Sequence, residues 1–146
     1  MDPEVPVLSV IDLGIIRNIE IVDGKVLIVI TPTYTGCPAM QFIEMNVKAA
    51  VENLGYKVNI RTSISPAWTT DWMSESGKMK LKSYGIAPPG RLASLDPEAF
   101  GILDKVSCPR CTSSNTERIS EFGSTACKAL YRCMDCREPF DYFKCH

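Results

Sequence analysis

Seven cysteines carry most of the chemistry legible in this sequence, and they fall into two unequal groups. Cys108-Pro109-Arg110-Cys111 and Cys133-Met134-Asp135-Cys136 are two CxxC pairs separated by 21 residues. Each pair can close a tight turn whose backbone N–H groups bond the sulfurs. Two such turns at the tips of neighbouring hairpins present four thiolates tetrahedrally, the pattern of a structural zinc site. Zinc is expected here in preference to a single rubredoxin-like iron. A redox dithiol would explain only one of the two pairs.

Cys37 stands apart. It follows the apolar run Val26-Leu27-Ile28-Val29-Ile30 in the loop Thr31-Pro32-Thr33-Tyr34-Thr35-Gly36 and precedes a helical pattern that begins near Ala39. A thiol ahead of a helix N-terminus faces free N–H groups and the positive end of the helix dipole. That position predicts a lowered pKa and an enlarged thiolate fraction. The competing reading is a small residue packed into a turn. Cys127, in Gly123-Ser124-Thr125-Ala126-Cys127-Lys128, and the terminal Cys145-His146 lie outside the four-ligand set. Cys127 is expected as a packed residue in a loop, with an exposed accessory thiol as the alternative; Cys145 and His146 read as a frayed tail or as a second thiol group. His146 is the single histidine, so no cysteine or serine nucleophile has a base built into the fold around it.

The elements that must position these residues follow from periodicity. Residues 15–22 and 25–31 flank Asp23-Gly24, a strong signal for a two-residue hairpin turn. Met40, Ile43, Val47, Ala50, Val51 and Leu54 recur at helical spacing and Gly55 closes that helix. Residues 58–62 alternate as a strand, extended by Ser63-Ile64-Ser65 to Pro66. Thr69, Thr70 and Asp71 are cap-type residues ahead of a short helix expected from Trp72 to Tyr84, anchored by Met79 and Leu81, with Lys78, Lys80 and Lys82 on a solvated face. Trp68 and Trp72 either cover the core or wall a pocket. Asp12-Leu13-Gly14 reads as a turn in which Asp12 bonds its own backbone or serves a site. Residues 118–121 and 129–132 supply ribbon strands, with Phe140, Tyr142 and Phe143 on a closing strand.

At 146 residues the chain can bury one good core and carry a second small module. Strands and helices are expected over residues 1–100, followed by a zinc ribbon of β-hairpins over residues 101–146. The boundary is drawn after Ile86-Ala87-Pro88-Pro89-Gly90-Arg91, which breaks regular structure. A net charge of −1 gives no electrostatic case for nucleic acid or an anionic membrane. No apolar run approaches the roughly 18 residues of a membrane span, no signal-peptide pattern is read, and clustered CxxC pairs suit a reducing compartment; the cytoplasm is expected.

Asp2-Pro3-Glu4, Asp12-Leu13-Gly14 and Thr33 through Cys37-Pro38 resemble the metal–sulfur cluster assembly-factor family, also described as domain of unknown function 59. Residues 65–72 (SPAWTTDW), 84–89 (YGIAPP) and 122–133 (FGSTACKALYRC) narrow the resemblance to its PaaD-type branch, the D components of phenylacetyl-CoA epoxidase systems. Family members usually carry a helix before the Asp-Pro-Glu motif, and this sequence opens on the motif. The resemblance implies an α+β fold, a small mixed β-sheet packed with helices followed by a zinc ribbon, and a non-enzymatic accessory factor of phenylacetate catabolism that matures or repairs the iron–sulfur or iron centre of the epoxidase. It gathers Asp2, Glu4, Thr33 and Cys37 into one pocket, with Cys37 as a transient ligand for iron or a cluster and epoxidase or reductase subunits as partners. One Cys37 supplies one of the four ligands of a conventional cluster. The rest would come from a second copy in a homodimer, from Cys127 or Cys145, or from a complex. A purely structural epoxidase subunit and a thiol-based enzyme are the alternatives.

Overall fold

The computed structural model describes residues 1–90 and 106–144. The expected hairpin forms from β1 (Ile16–Val22) and β2 (Lys25–Ile30), which pair antiparallel. Asp23 and Gly24 both adopt positive φ, 51° and 72°, as a two-residue turn matched to strand twist requires. Helix α1 (Met40–Glu52) then crosses over, and β3 (Val58–Thr62) pairs parallel to β2. The sheet order is β1-β2-β3, with Ile28 and Ile30 of the central strand buried against Ile43 and Val47 of the helix. The apolar face of α1 is narrower than its sequence pattern: Ala50 is exposed and Leu54 is 74% exposed. Residues 63–65 do not extend β3.

A 3₁₀ turn at Thr70–Trp72 precedes α2 (Glu75–Tyr84), which therefore starts three residues later than the pattern suggests. The reason is Ser74, whose hydroxyl accepts the Gly77 N–H as an N-cap at 2.9 Å. Leu81 is fully buried, whereas Met79 is 66% exposed and anchors nothing. Lys80 is drawn out of its solvated row to Asp12, with 2.7 Å between Nζ and Oδ2.

The Asp12-Leu13-Gly14 turn holds these parts together. Asp12 accepts from the Ser9 N–H and hydroxyl and from the Ser74 hydroxyl as well as from Lys80, and these partners hold its carboxyl well below the usual range, with Lys80 the largest cause. Leu13 O accepts the indole N–H of buried Trp68 at 2.8 Å. Gly14, at φ +67°, passes so close to Trp72 that a Cβ would meet its carbonyl oxygen at 2.2 Å. Trp68 is thus core, and Trp72 is half-buried beneath the Arg17 guanidinium, 3.5 Å above its ring.

The second sheet has the order β4-β7-β6-β5: β4 (Ile86–Ala87), β5 (Thr116–Ser120), β6 (Lys128–Cys133) and β7 (Pro139–Phe143). Strands β5, β6 and β7 form the antiparallel ribbon, and β4 adds to it in parallel. The expected division after residue 100 lies outside the described residues, but β4 shows that the segment read as the end of the first unit is paired into the ribbon's sheet. Cys127 and Phe143 join the core built by Val5, Leu8 and Trp68; the Trp68 and Phe143 rings meet edge-on at 6.3 Å. The ribbon is therefore packed onto the first unit.

Candidate functional site

The four CxxC sulfurs converge. All lie within 4.8 Å of one another, with Cys108 to Cys136 at 3.8 Å and Cys111 to Cys133 at 3.5 Å. Zinc–thiolate bonds of about 2.3 Å at tetrahedral angles place sulfurs about 3.8 Å apart, so the donor set fits zinc. Backbone N–H groups of the turns reach the sulfurs, from Ser113 to Cys111, from Asp135 and Cys136 to Cys133, and from Glu138 to Cys136. Asp135 braces the two turns by accepting from Ser113 and from Asn115 Nδ2, the latter at 2.7 Å. Zinc held here would be structural, since four protein thiolates leave no open position.

A second cluster lies where the ribbon meets the first unit. Asp2 is buried and uses Oδ1 to accept the N–H groups of Glu4 and Val5, at 2.8 and 2.7 Å. It caps the turn that carries Glu4, and desolvation raises its pKa against those two bonds. Cys37 is half-buried in the β2–α1 loop, its sulfur bonded by the Ala39 N–H and the Tyr34 hydroxyl. Thr33 is half-buried four residues earlier in that loop. The expected lowering of the Cys37 pKa is not what the structure gives. Burial outweighs the local N–H bond, and the negative charges of Glu4 and Asp2 add to it, so the thiol is pushed up. Desolvation, Cys37 and Glu4 likewise push the Tyr34 hydroxyl upward.

Cys127 enters the same cluster from the ribbon side. It is buried, so the exposed-thiol alternative fails. Its thiol donates to Glu4 Oε2 at 3.6 Å and lies 3.1 Å from the Thr125 hydroxyl. Burial, with Glu4 adding to it, pushes its pKa up to about 11. Lys128 is also buried and donates to the Glu4 carbonyl oxygen at 3.0 Å and to Ser124 Oγ at 3.1 Å. Glu4 and Asp2 act electrostatically on Cys37, and Glu4 also meets Cys127 and Lys128 of the ribbon; the sequence offers Cys127 as a further ligand, whereas sequence reasoning does not assign Tyr34 or Lys128 to the site. The only sequence signal for Lys128 is its place in residues 122–133, a motif read as ribbon. Beside the cluster an open cavity of about 390 Å³ is lined by Tyr34 and Thr35 from one side and Phe122 and Ala126 from the other. Cys145 and His146 lie outside the described residues.

Comparison with known proteins follows the same division. Residues 1–61 match the family described as iron-sulfur cluster assembly protein, and residues 97–144 match the PaaD zinc beta ribbon domain. Over 148 aligned positions the chain is 49% identical to an Escherichia coli (strain K12) protein provisionally named as the D component of 1,2-phenylacetyl-CoA epoxidase, covering 99% of this chain and 86% of that one. The chain belongs to the PaaD family. The assembly half of this PaaD-family chain has wider relatives as well. A Porphyromonas gingivalis protein named Fe-S protein maturation auxiliary factor is 42% identical over 83 residues, 55% of this chain and 78% of that one. The crystal structure of a domain of unknown function, DUF59, from Bacillus anthracis superposes with a TM-score of 0.52 at 25% identity, over 56% of this chain and 79% of that chain. PaaD-family membership makes the ribbon a zinc ribbon and the first unit an iron–sulfur assembly domain. Among the described residues, no helix is long and apolar enough to cross a membrane.

Proposed function

We propose that this chain is an accessory factor that matures or repairs the iron–sulfur or iron centre of a phenylacetyl-CoA epoxidase. In this reading Cys37 holds iron or a cluster transiently, as cargo for an epoxidase or reductase subunit in the cytoplasm. The observation that carries the reading is that Glu4 and Asp2 act electrostatically on Cys37, whose hydrogen-bond partner Tyr34 lines an open cavity, in a domain whose relatives are named as Fe-S maturation factors. Glu4 serves as a second ligand, Asp2 fixes the Glu4 turn, and Thr33 offers a hydroxyl to the cargo. A raised thiol pKa suits this use. A protonated Cys37 is a poor nucleophile at neutral pH, but it becomes a thiolate when a metal displaces its proton. A thiol-based enzyme is disfavoured on the same ground, and no histidine lies among the described residues.

Anaerobic incubation of the zinc-loaded protein with ferrous iron and sulfide tests the reading. Wild-type protein should take up iron and develop visible sulfur-to-iron absorption, and Cys37→Ser, with its zinc intact, should not. Equal uptake by both would remove Cys37 from the proposal. The name of the Escherichia coli relative favours a second reading, a stoichiometric non-catalytic component of the epoxidase. In that case the purified epoxidase contains this chain in equal amount and is indifferent to Cys37→Ser.

A further inference from the structure

Cys37 is the fourth residue of a reverse turn whose first residue is Tyr34. Its N–H donates to the Tyr34 carbonyl oxygen at 3.3 Å, and Gly36, third in the turn, takes the positive φ of 86° that glycine supplies at that position of a type II turn. The Cys37 carbonyl oxygen then accepts the Met40 N–H at 3.3 Å, at the entry to α1. We infer that Tyr34 is the positioning residue of Cys37: its hydroxyl holds the sulfur, and its ring screens that sulfur from the cavity through which a client approaches. The inference rests on the reading of Cys37 as a transient ligand and adds what controls its exposure and release.

Three features support it. The turn keeps the two residues together, since its end Cα atoms lie within about 7 Å, and the Tyr34 hydroxyl donates to the Cys37 sulfur. Tyr34 also lines the open cavity of about 390 Å³, whereas Cys37 is not among the described residues that line it. The ring thus meets the cavity and its hydroxyl meets the thiol. Across the cavity the opposite wall is fixed. Phe122 is exposed, yet its ring lies under the Lys144 ammonium at 4.3 Å, and that ammonium is held by Glu121 at 2.8 Å. Access to Cys37 from this side is therefore decided by Tyr34.

A phenol in this place has two consequences for a bound metal. A hydrogen bond to a coordinating thiolate takes up part of its charge, which orients the ligand and tunes the metal–sulfur bond. Cargo binding releases the Cys37 proton to solvent while Tyr34 keeps its own, donated to the sulfur, and no oxidant or reductant takes part. Rotation of the Tyr34 ring away from the turn then breaks the hydrogen bond and uncovers the sulfur in one motion, which couples release to client entry.

The test uses full-length, zinc-loaded protein and variants that separate the ring from the hydroxyl. A bulky uncharged maleimide is applied anaerobically, and the Cys37 adduct is read by peptide mass spectrometry apart from the other cysteines. A screened sulfur that is uncovered in at most about one molecule in ten is labelled slowly. Tyr34→Ala should therefore be labelled at least about tenfold faster than Tyr34→Phe, which loses the same hydrogen bond but keeps the ring. Phe122→Ala, on the fixed wall, should be labelled at the wild-type rate. Tyr34→Phe should hold ferrous iron about tenfold more weakly, the scale of losing an outer-shell partner. Its sulfur-to-iron absorption should also move to longer wavelength, a change that altered packing alone does not produce. Zinc content and thermal midpoint are measured for every variant; if Tyr34→Ala does not fold, the absorption of Tyr34→Phe decides. Equal labelling of Tyr34→Ala and Tyr34→Phe, or equal acceleration in Phe122→Ala and Tyr34→Ala, would overturn the inference. So would wild-type iron affinity and absorption in Tyr34→Phe. If Cys37→Ser takes up no iron while Tyr34→Phe matches wild type, the reading of Cys37 survives and this inference fails. If Cys37→Ser takes up iron normally, both fail.

Discussion

The ammonium of Lys128 donates a 3.0 Å hydrogen bond to the carbonyl oxygen of Glu4, joining residues 124 positions apart in the chain. Through that bond the zinc ribbon fixes the turn that carries a candidate metal ligand of the assembly domain. The two units are therefore coupled at the residues proposed to hold iron.

Replacing Lys128 should loosen that coupling. Lys128→Met leaves the Glu4 carbonyl and Ser124 without their donor, and removing a hydrogen bond from a buried charged group costs about 1.5–3 kcal/mol. Urea denaturation of the zinc-loaded protein measures the loss. A variant within experimental error of wild type would mean that the junction is held by apolar packing alone.

Gly14→Ala should be among the most damaging small changes in the chain. The added Cβ would sit 2.2 Å from the Trp72 carbonyl oxygen, in a backbone conformation at φ +67° that disfavours side chains. Strain and overpacking together are expected to cost about 2–4 kcal/mol. Thermal unfolding monitored through the tryptophans gives the answer directly.

Asp12 sets the acid limb of stability. Its folded pKa lies below the ordinary 3.8 because Lys80, Ser9 and Ser74 favour the carboxylate. The unfolded chain then takes up the proton first as pH falls. The contribution is complete above about pH 5, and is lost as pH drops below 3.8 toward the folded value. Asp12→Asn should cost about 1–2 kcal/mol at neutral pH, moderated because Lys80 is partly exposed. The gap between wild type and variant should narrow on acidification in parallel denaturation series.

Zinc removal should act on the ribbon first. Strands β5 to β7 bury few large side chains, and Cys108 and Cys133 belong to their small core, so the metal supplies much of the local stability. After chelation, amide exchange should accelerate in β5–β7 while β1–β3 and α1 retain protection. Uniform acceleration would instead show that the shared core, which includes Cys127 and Phe143, makes the two units unfold as one.

Much of this can be read from the sequence because the signals are local. Asp23-Gly24 announces its hairpin through the two positive φ angles it has to adopt. The CxxC spacing announces the ribbon because thiolate chemistry needs those turns. What stays hidden depends on distant partners. The two-residue strand β4 has no pattern of its own and exists because β7 pairs with it. Cys127 and Lys128 look like ribbon residues, and only the folded chain brings them to Glu4. The direction of the Cys37 pKa shift escapes the sequence for the same reason. The helix N-terminus is visible there, while the burial and the carboxylates that outweigh it are not.

The claim that Cys37 passes iron to a client is tested most directly on the client itself. Epoxidase subunits produced in cells carrying only the Cys37→Ser chain would be purified anaerobically, and their iron content and iron–sulfur absorption compared with the wild-type preparation. The variant chain would be checked for its zinc and thermal midpoint. The account predicts iron-depleted client beside a folded, zinc-loaded variant. Fully loaded client from the same cells would contradict it.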